Sequence, residues 1–139
     1  MSLLMSKYIH KVQYYETDKM GITHHSNYIR FMEEARTQFL SEIGFPMTTL
    51  EKAGLTSPVI SVQCDYKHTS TYSDELEIEV CVTGYTGVRL TFSYTMKDKV
   101  RDVLVARASS VHCFINQEGM PVRLKKYFPE LDAILKAGC

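Results

Sequence analysis

The chain has 139 residues, which suits one domain over 1–139, and its 16 basic and 16 acidic residues balance. With no net field to gather a polyanion, nucleic acid is excluded as the default partner. The longest apolar runs are only a few residues, far short of a bilayer span.

The opening "MSLLMSK" is too short and too weakly apolar for a signal peptide, and its second Met, at position 5, marks the first five residues as a partial cloning remnant lying outside the fold. Four cysteines (64, 81, 113 and 139) form no C-x-x-C pair or Cys/His metal spacing. They read as reduced thiols of a cytoplasmic protein.

Tyr8–Tyr15 is β-rich and aromatic and predicts a first strand. After a crowded loop, apolar residues recur at Tyr28, Phe31, Met32, Ala35, Phe39, Leu40 and Ile43, tracing one face of a helix. Asn27 is the expected N-cap, and Gly44 before Phe45-Pro46 the expected stop. A short second helix is expected around Met47–Ala53.

From Pro58 the period changes to two. Leu76, Ile78, Val80 and Val82 alternate with more polar neighbours, and Val88, Leu90, Phe92, Tyr94 and Met96 do the same. Strands are expected over 58–67, 75–85, 88–98 and 102–116, joined by short turns that make the pairing antiparallel. A terminal helix is expected over Leu124–Lys136, broken or restarted at Pro129. One long helix with a wide apolar stripe needs a sheet to cover it, so the fold class is α+β.

The stretch "ETDKMGITHHSNY", Glu16 to Tyr28, places a carboxylate, a glycine turn and two histidines just before the long helix. Gly21 permits a tight turn after Asp18. A helix N-terminus carries unpaired N–H groups and about half a positive charge, a natural cradle for a developing oxyanion. A carboxylate beside such a cradle can attack a carbonyl or activate a water. The bland alternative is a solvated loop acid with a helix cap. Adjacent His24 and His25 without an H-E-x-x-H give no metal site. No G-x-S-x-G elbow, phosphate loop or dinucleotide fingerprint occurs.

The segment "YYETDKMGITHHSNYIRFMEEAR" resembles the signature of the hotdog-fold acyl-CoA thioesterases of the 4-hydroxybenzoyl-CoA thioesterase family. It is similar above all to the bacterial branch with Asp-x-x-Gly, then His-x-Asn-Tyr, then Glu-x-Ala-Arg on the helix. Asp18 and Gly21, then His25, Asn27 and Tyr28, then Glu33, Ala35 and Arg36 supply these elements. "SPVISVQCDYKH" resembles the strand that enters the family's substrate cleft.

The resemblance implies a five- or six-stranded antiparallel sheet wrapped around one long helix. It also implies homodimers, often paired into dimers of dimers, with active sites at the dimer interface. Asp18 would be the nucleophile or general base, and the backbone N–H at His25 would polarise the thioester carbonyl. Gly21, Asn27, Tyr28, Pro58 and Val59 would contact substrate. Glu33 is a fallback carboxylate, as some relatives carry theirs on the helix. The substrate's CoA is the only cofactor-like group implied, and no metal. A hotdog hydratase or dehydratase on acyl thioesters, and a non-catalytic acyl-thioester-binding scaffold, are the competing readings.

Overall fold

Period-two alternation becomes a sheet with one buried face. In the computed structural model, which describes residues 4–138, β1 (Met5–Lys11), β2 (Val59–Tyr66), β3 (Glu75–Tyr85), β4 (Arg89–Asp98) and β5 (Val103–Cys113) form one sheet in the order β1-β3-β4-β5-β2. Every pairing is antiparallel. Ile78 pairs with Met96, Val80 with Tyr94 and Val82 with Phe92, so the apolar sets of β3 and β4 share one face. Register offsets at Val82/Gly84 and Met96/Lys97 bend the strands, helping the sheet curl round its contents.

Those contents are α1 (Asn27–Glu42), whose Phe31, Met32, Ala35 and Phe39 are wholly buried. The fold class is α+β with a single long helix on a five-stranded sheet. Gly44 stops the helix at φ +91°, where Phe45 N–H donates to Leu40 C=O (2.9 Å) and Gly44 N–H to Ser41 C=O (3.1 Å). These two bonds are the Schellman pattern and satisfy carbonyls the helix would leave orphaned.

A second helix, α2 (Met47–Lys52), follows, and α3 (Pro129–Ala137) covers one flank near the end of the chain. Around Pro129 the terminal segment divides: Leu124–Lys126 is a 3-10 turn, and a new helix begins with the proline in its first turn. Proline lacks an N–H, which matters least at a helix start.

The first strand differs from its expected span. It runs over Met5–Lys11, and Tyr14–Glu16 is a 3-10 turn. Pairing with β3 ends at Lys11↔Glu75, where β3 itself begins, and the Glu16 carboxylate then accepts the Gln13 N–H (2.7 Å) and curls the chain. Leu4 and Met5, set aside above with the first five residues, take part in the fold: Leu4 packs on the core and its carbonyl accepts the Val82 N–H. The remainder of that expectation, residues 1–3, lies outside the described residues, as does Cys139. Cys64, Cys81 and Cys113 are free thiols. Among the described residues no helix is long and apolar enough to cross a membrane.

Candidate active site at the tip of the central helix

Between the Tyr14–Glu16 turn and α1 the chain makes a miniature hairpin. Gly21 N–H donates to Asp18 C=O (2.9 Å), Asp18 N–H donates to Ile22 C=O (2.9 Å), and Thr17 bridges Thr23. Gly21 sits at φ +79° with open space where a Cβ would be, so its backbone angle, not crowding, demands glycine. Asp18 Oδ1 accepts the Met20 N–H at 2.8 Å, an Asx-type bond that fixes the carboxylate relative to its own turn.

The chain then enters α1. Ser26 precedes the helix without any side-chain capping bond, and Asn27 is the first helical residue, not the cap. The Asn27 amide instead reaches back to donate to the Glu16 carbonyl (2.9 Å), which also takes the His24 N–H (2.8 Å). The N–H groups of Asn27 and Tyr28 are spent on the carbonyls of His24 and His25. Among the described residues, the His25 N–H has no acceptor.

Asp18, His25 and Tyr28 line one pocket of about 310 Å³, shared with Tyr66 and His68 from the opposite wall. Tyr66, at the end of β2, donates its hydroxyl to the His25 carbonyl (3.0 Å), tying the strand to the helix tip. Partial burial, with the Cys64 thiol beside it, pushes its phenol up to about 12. The Tyr28 ring lies 5.3 Å from that of Tyr66, and its buried hydroxyl meets Ser70 Oγ (2.7 Å), which meets Thr23 Oγ1 (2.6 Å). The His25 imidazole is exposed and stacks on His24 at 4.3 Å.

Behind the tip lies a charged cluster that sequence reasoning passed over. The Glu16 carboxylate is fully buried and accepts from Gln13 N–H, His10 Nε2 (2.9 Å) and Arg30 Nη2. Burial alone would raise this carboxyl, but the three donors outweigh it and hold it below the usual range.

The expected site residues therefore separate into groups. Asp18, His25 and Tyr28 are together, Gly21 shapes the turn, and Asn27 ties the loop to the helix. Pro58 and Val59 line a different cavity of about 260 Å³, with Glu33, Arg36 and buried His112. Within one chain Val59 cannot join Asp18, because it stands at the opposite end of β2 from Tyr66, roughly 23 Å along an extended strand. Tyr66, Glu16 and Arg30 carried no distinguishing signal in the sequence: one is an aromatic on a strand, and the others are charges in ordinary positions.

A turn-borne carboxylate thus shares a pocket with the free His25 N–H at the tip of a sheet-wrapped helix, an arrangement with the parts that acyl transfer needs. The sequence profile of the thioesterase-like superfamily matches residues 12–135, and the chain belongs to that superfamily. Among its relatives, a protein of Aquifex aeolicus, provisionally named an esterase, is 39% identical over 78% of this chain and 83% of its own length. The acyl-CoA thioesterase YbgC of Haemophilus influenzae is 29% identical over 73% of each chain. The crystal structure of a DHNA-CoA thioesterase from Staphylococcus aureus superposes with a TM-score of 0.90, at 29% identity over 96% of this chain and 89% of that one.

Proposed function

We propose that this protein hydrolyses acyl-CoA thioesters to a free acid and CoA, with Asp18 as the acting carboxylate. The observation that carries the reading is that Asp18 and the His25 tip of α1 line the same pocket. As general base, Asp18 takes a proton from water; the hydroxide adds to the thioester carbon, and the oxyanion is received by the His25 N–H. Collapse expels the CoA thiolate, which recovers the proton from Asp18. As nucleophile, Asp18 would instead form a mixed anhydride that water then opens. Either route suits this site, because a thiolate leaves without a strong acid to protonate it.

The working unit in this proposal is a homodimer joined along β2. That strand is an edge of the sheet, and its Val59, Ile60, Val62 and Tyr66 are all exposed. Exposed apolar edges invite strand pairing. An antiparallel pairing centred on Val62 and Gln63 sets Tyr66 opposite Val59 of the partner subunit. Pro58 and Val59 of the partner subunit then wall the Asp18 pocket, and the cavity behind them extends it for the acyl group. The free thiols suit a reducing compartment such as the cytoplasm.

The test is thiol release across short, branched, aromatic and long acyl-CoAs. Asp18→Asn is expected to lower kcat by about 10²–10⁴ with circular dichroism unchanged. Parental turnover by that variant rejects Asp18, and enoyl-CoA hydration without thiol release replaces the reading with a hydratase.

A further inference from the structure

We propose that Glu16 is a positioning residue for this reaction: it braces the Asp18 hairpin and the His25 tip against both β1 and α1. The inference rests on the thioesterase reading for its kinetic consequence but on geometry for the brace itself.

Glu16 works through both of its halves. Its backbone carbonyl accepts two donors from the tip, His24 N–H (2.8 Å) and Asn27 Nδ2 (2.9 Å). Its carboxylate accepts three more, from Gln13 N–H, His10 on β1 and Arg30 on α1. Arg30 closes the loop by donating to Asn27 Oδ1 (3.1 Å), so the residue tethered by the Glu16 carbonyl is also held by the cation on the Glu16 carboxylate. Glu34 provides Arg30 with a third, looser acceptor at 3.4 Å, and His10 packs its ring 4.0 Å from that of Phe31.

The brace stands where a conventional cap would. Ser26 makes no capping bond, so the start of α1 is not secured by its own side chain. It is secured by an ion pair between the half-exposed Arg30 and the buried Glu16, two residues before Asp18 in the chain. Such a pair is a poor source of net stability, since desolvating the carboxylate offsets much of the attraction. A buried residue with five bonds around it does restrict geometry, and reacting groups misplaced by 1 Å can lose about 10²-fold in rate.

Glu16→Gln keeps the shape and removes the charge. The expected result is a fall in kcat of about 10²-fold with KM within about threefold, because substrate contacts are untouched. Arg30→Lys keeps the charge but loses the guanidinium fork and is expected to lie between parent and Glu16→Gln. Hydrogen exchange at the His24 amide, read by mass spectrometry, is expected to quicken in both variants relative to core strand amides.

Parental kcat and unchanged His24 exchange in Glu16→Gln, with Asp18→Asn inactive, overturn the brace alone. Activity surviving in Asp18→Asn overturns the thioesterase site, and the exchange measurement then still decides whether Glu16 holds the tip. Should Glu16→Gln fail to fold, Arg30→Lys gives the same two readouts at a half-exposed position: slower turnover with faster His24 exchange supports the brace, and parental values of both overturn it.

Discussion

His112 shows how a single buried residue couples folding to pH. Its side chain is buried on the inner face of β5, with Nε2 2.7 Å from Ser110 Oγ and its ring edge-on to Phe92. Ser110 passes the bond to the Tyr94 hydroxyl (2.6 Å), which accepts from Arg36 (3.2 Å). Burial, reinforced by the Arg36 charge, pushes the imidazole down to about 4. An unfolded histidine takes its proton near pH 6.5. Above that pH both states are neutral and His112 adds no slope. Between about 6.5 and 4 only the unfolded chain is protonated, so stability falls with pH and then levels off. Urea unfolding is expected to register a loss of roughly 2 kcal/mol between pH 7.5 and pH 5 from this group. His112→Gln should remove that share while leaving the contributions of the other histidines. Nothing in the alternating pattern of β5 marked His112 as an inward-facing residue. Its facing is set by register against Leu90, a tertiary fact.

At the scale of elements, α1 was the most legible part of the chain. Its apolar spacing at three and four residues and its Gly44 stop are local properties, and the helix ends at Glu42 as that chemistry requires. Phe39 is wholly buried and meets Phe92 edge-on with centroids 5.6 Å apart. Phe39→Ala is expected to cost about 3–5 kcal/mol, whereas exposed Ser41→Ala should stay within about 0.5 kcal/mol; chemical denaturation of the two variants side by side checks both. The first strand was less legible. Aromatic composition carried its expected end to Tyr15, but the ladder stops at Lys11↔Glu75; Val12 still exchanges bonds with Asp74 and Ser73, and the chain then curls away through the Gln13–Glu16 bond. The expected Asn27 cap failed for a related reason. A good capping side chain was diverted to a long-range acceptor, the Glu16 carbonyl, which no local rule anticipates.

At the scale of the whole molecule, β2 is the element whose sequence and surroundings disagree within one chain. It reads "VISVQCDY", yet nearly all of it is exposed. Val59, Ile60 and Val62 on an edge strand offer an apolar, hydrogen-bond-competent border, which a monomer would ordinarily blunt with charge. In the proposed dimer a lysine pair there is disruptive. Ile60→Lys/Val62→Lys is expected to sediment as a monomer with an intact circular dichroism spectrum and to lose thiol release, because the partner's wall of the Asp18 pocket is gone. Dimeric sedimentation by that double variant would move the interface elsewhere.

What the sequence by itself determined was the class of fold and the address of the candidate site. Residue periodicity and turn chemistry are short-range, so the α1 stripe, the β3 and β4 alternation and the Asp18–Gly21 turn could be read without coordinates. The tertiary structure alone decided what surrounds that address. Tyr66 gripping the His25 carbonyl, Glu16 buried between β1 and α1, and Pro58 and Val59 facing a separate cavity all join residues far apart in the chain or in space. Their contacts depend on strand register and helix placement, which the chain settles only when the whole core closes.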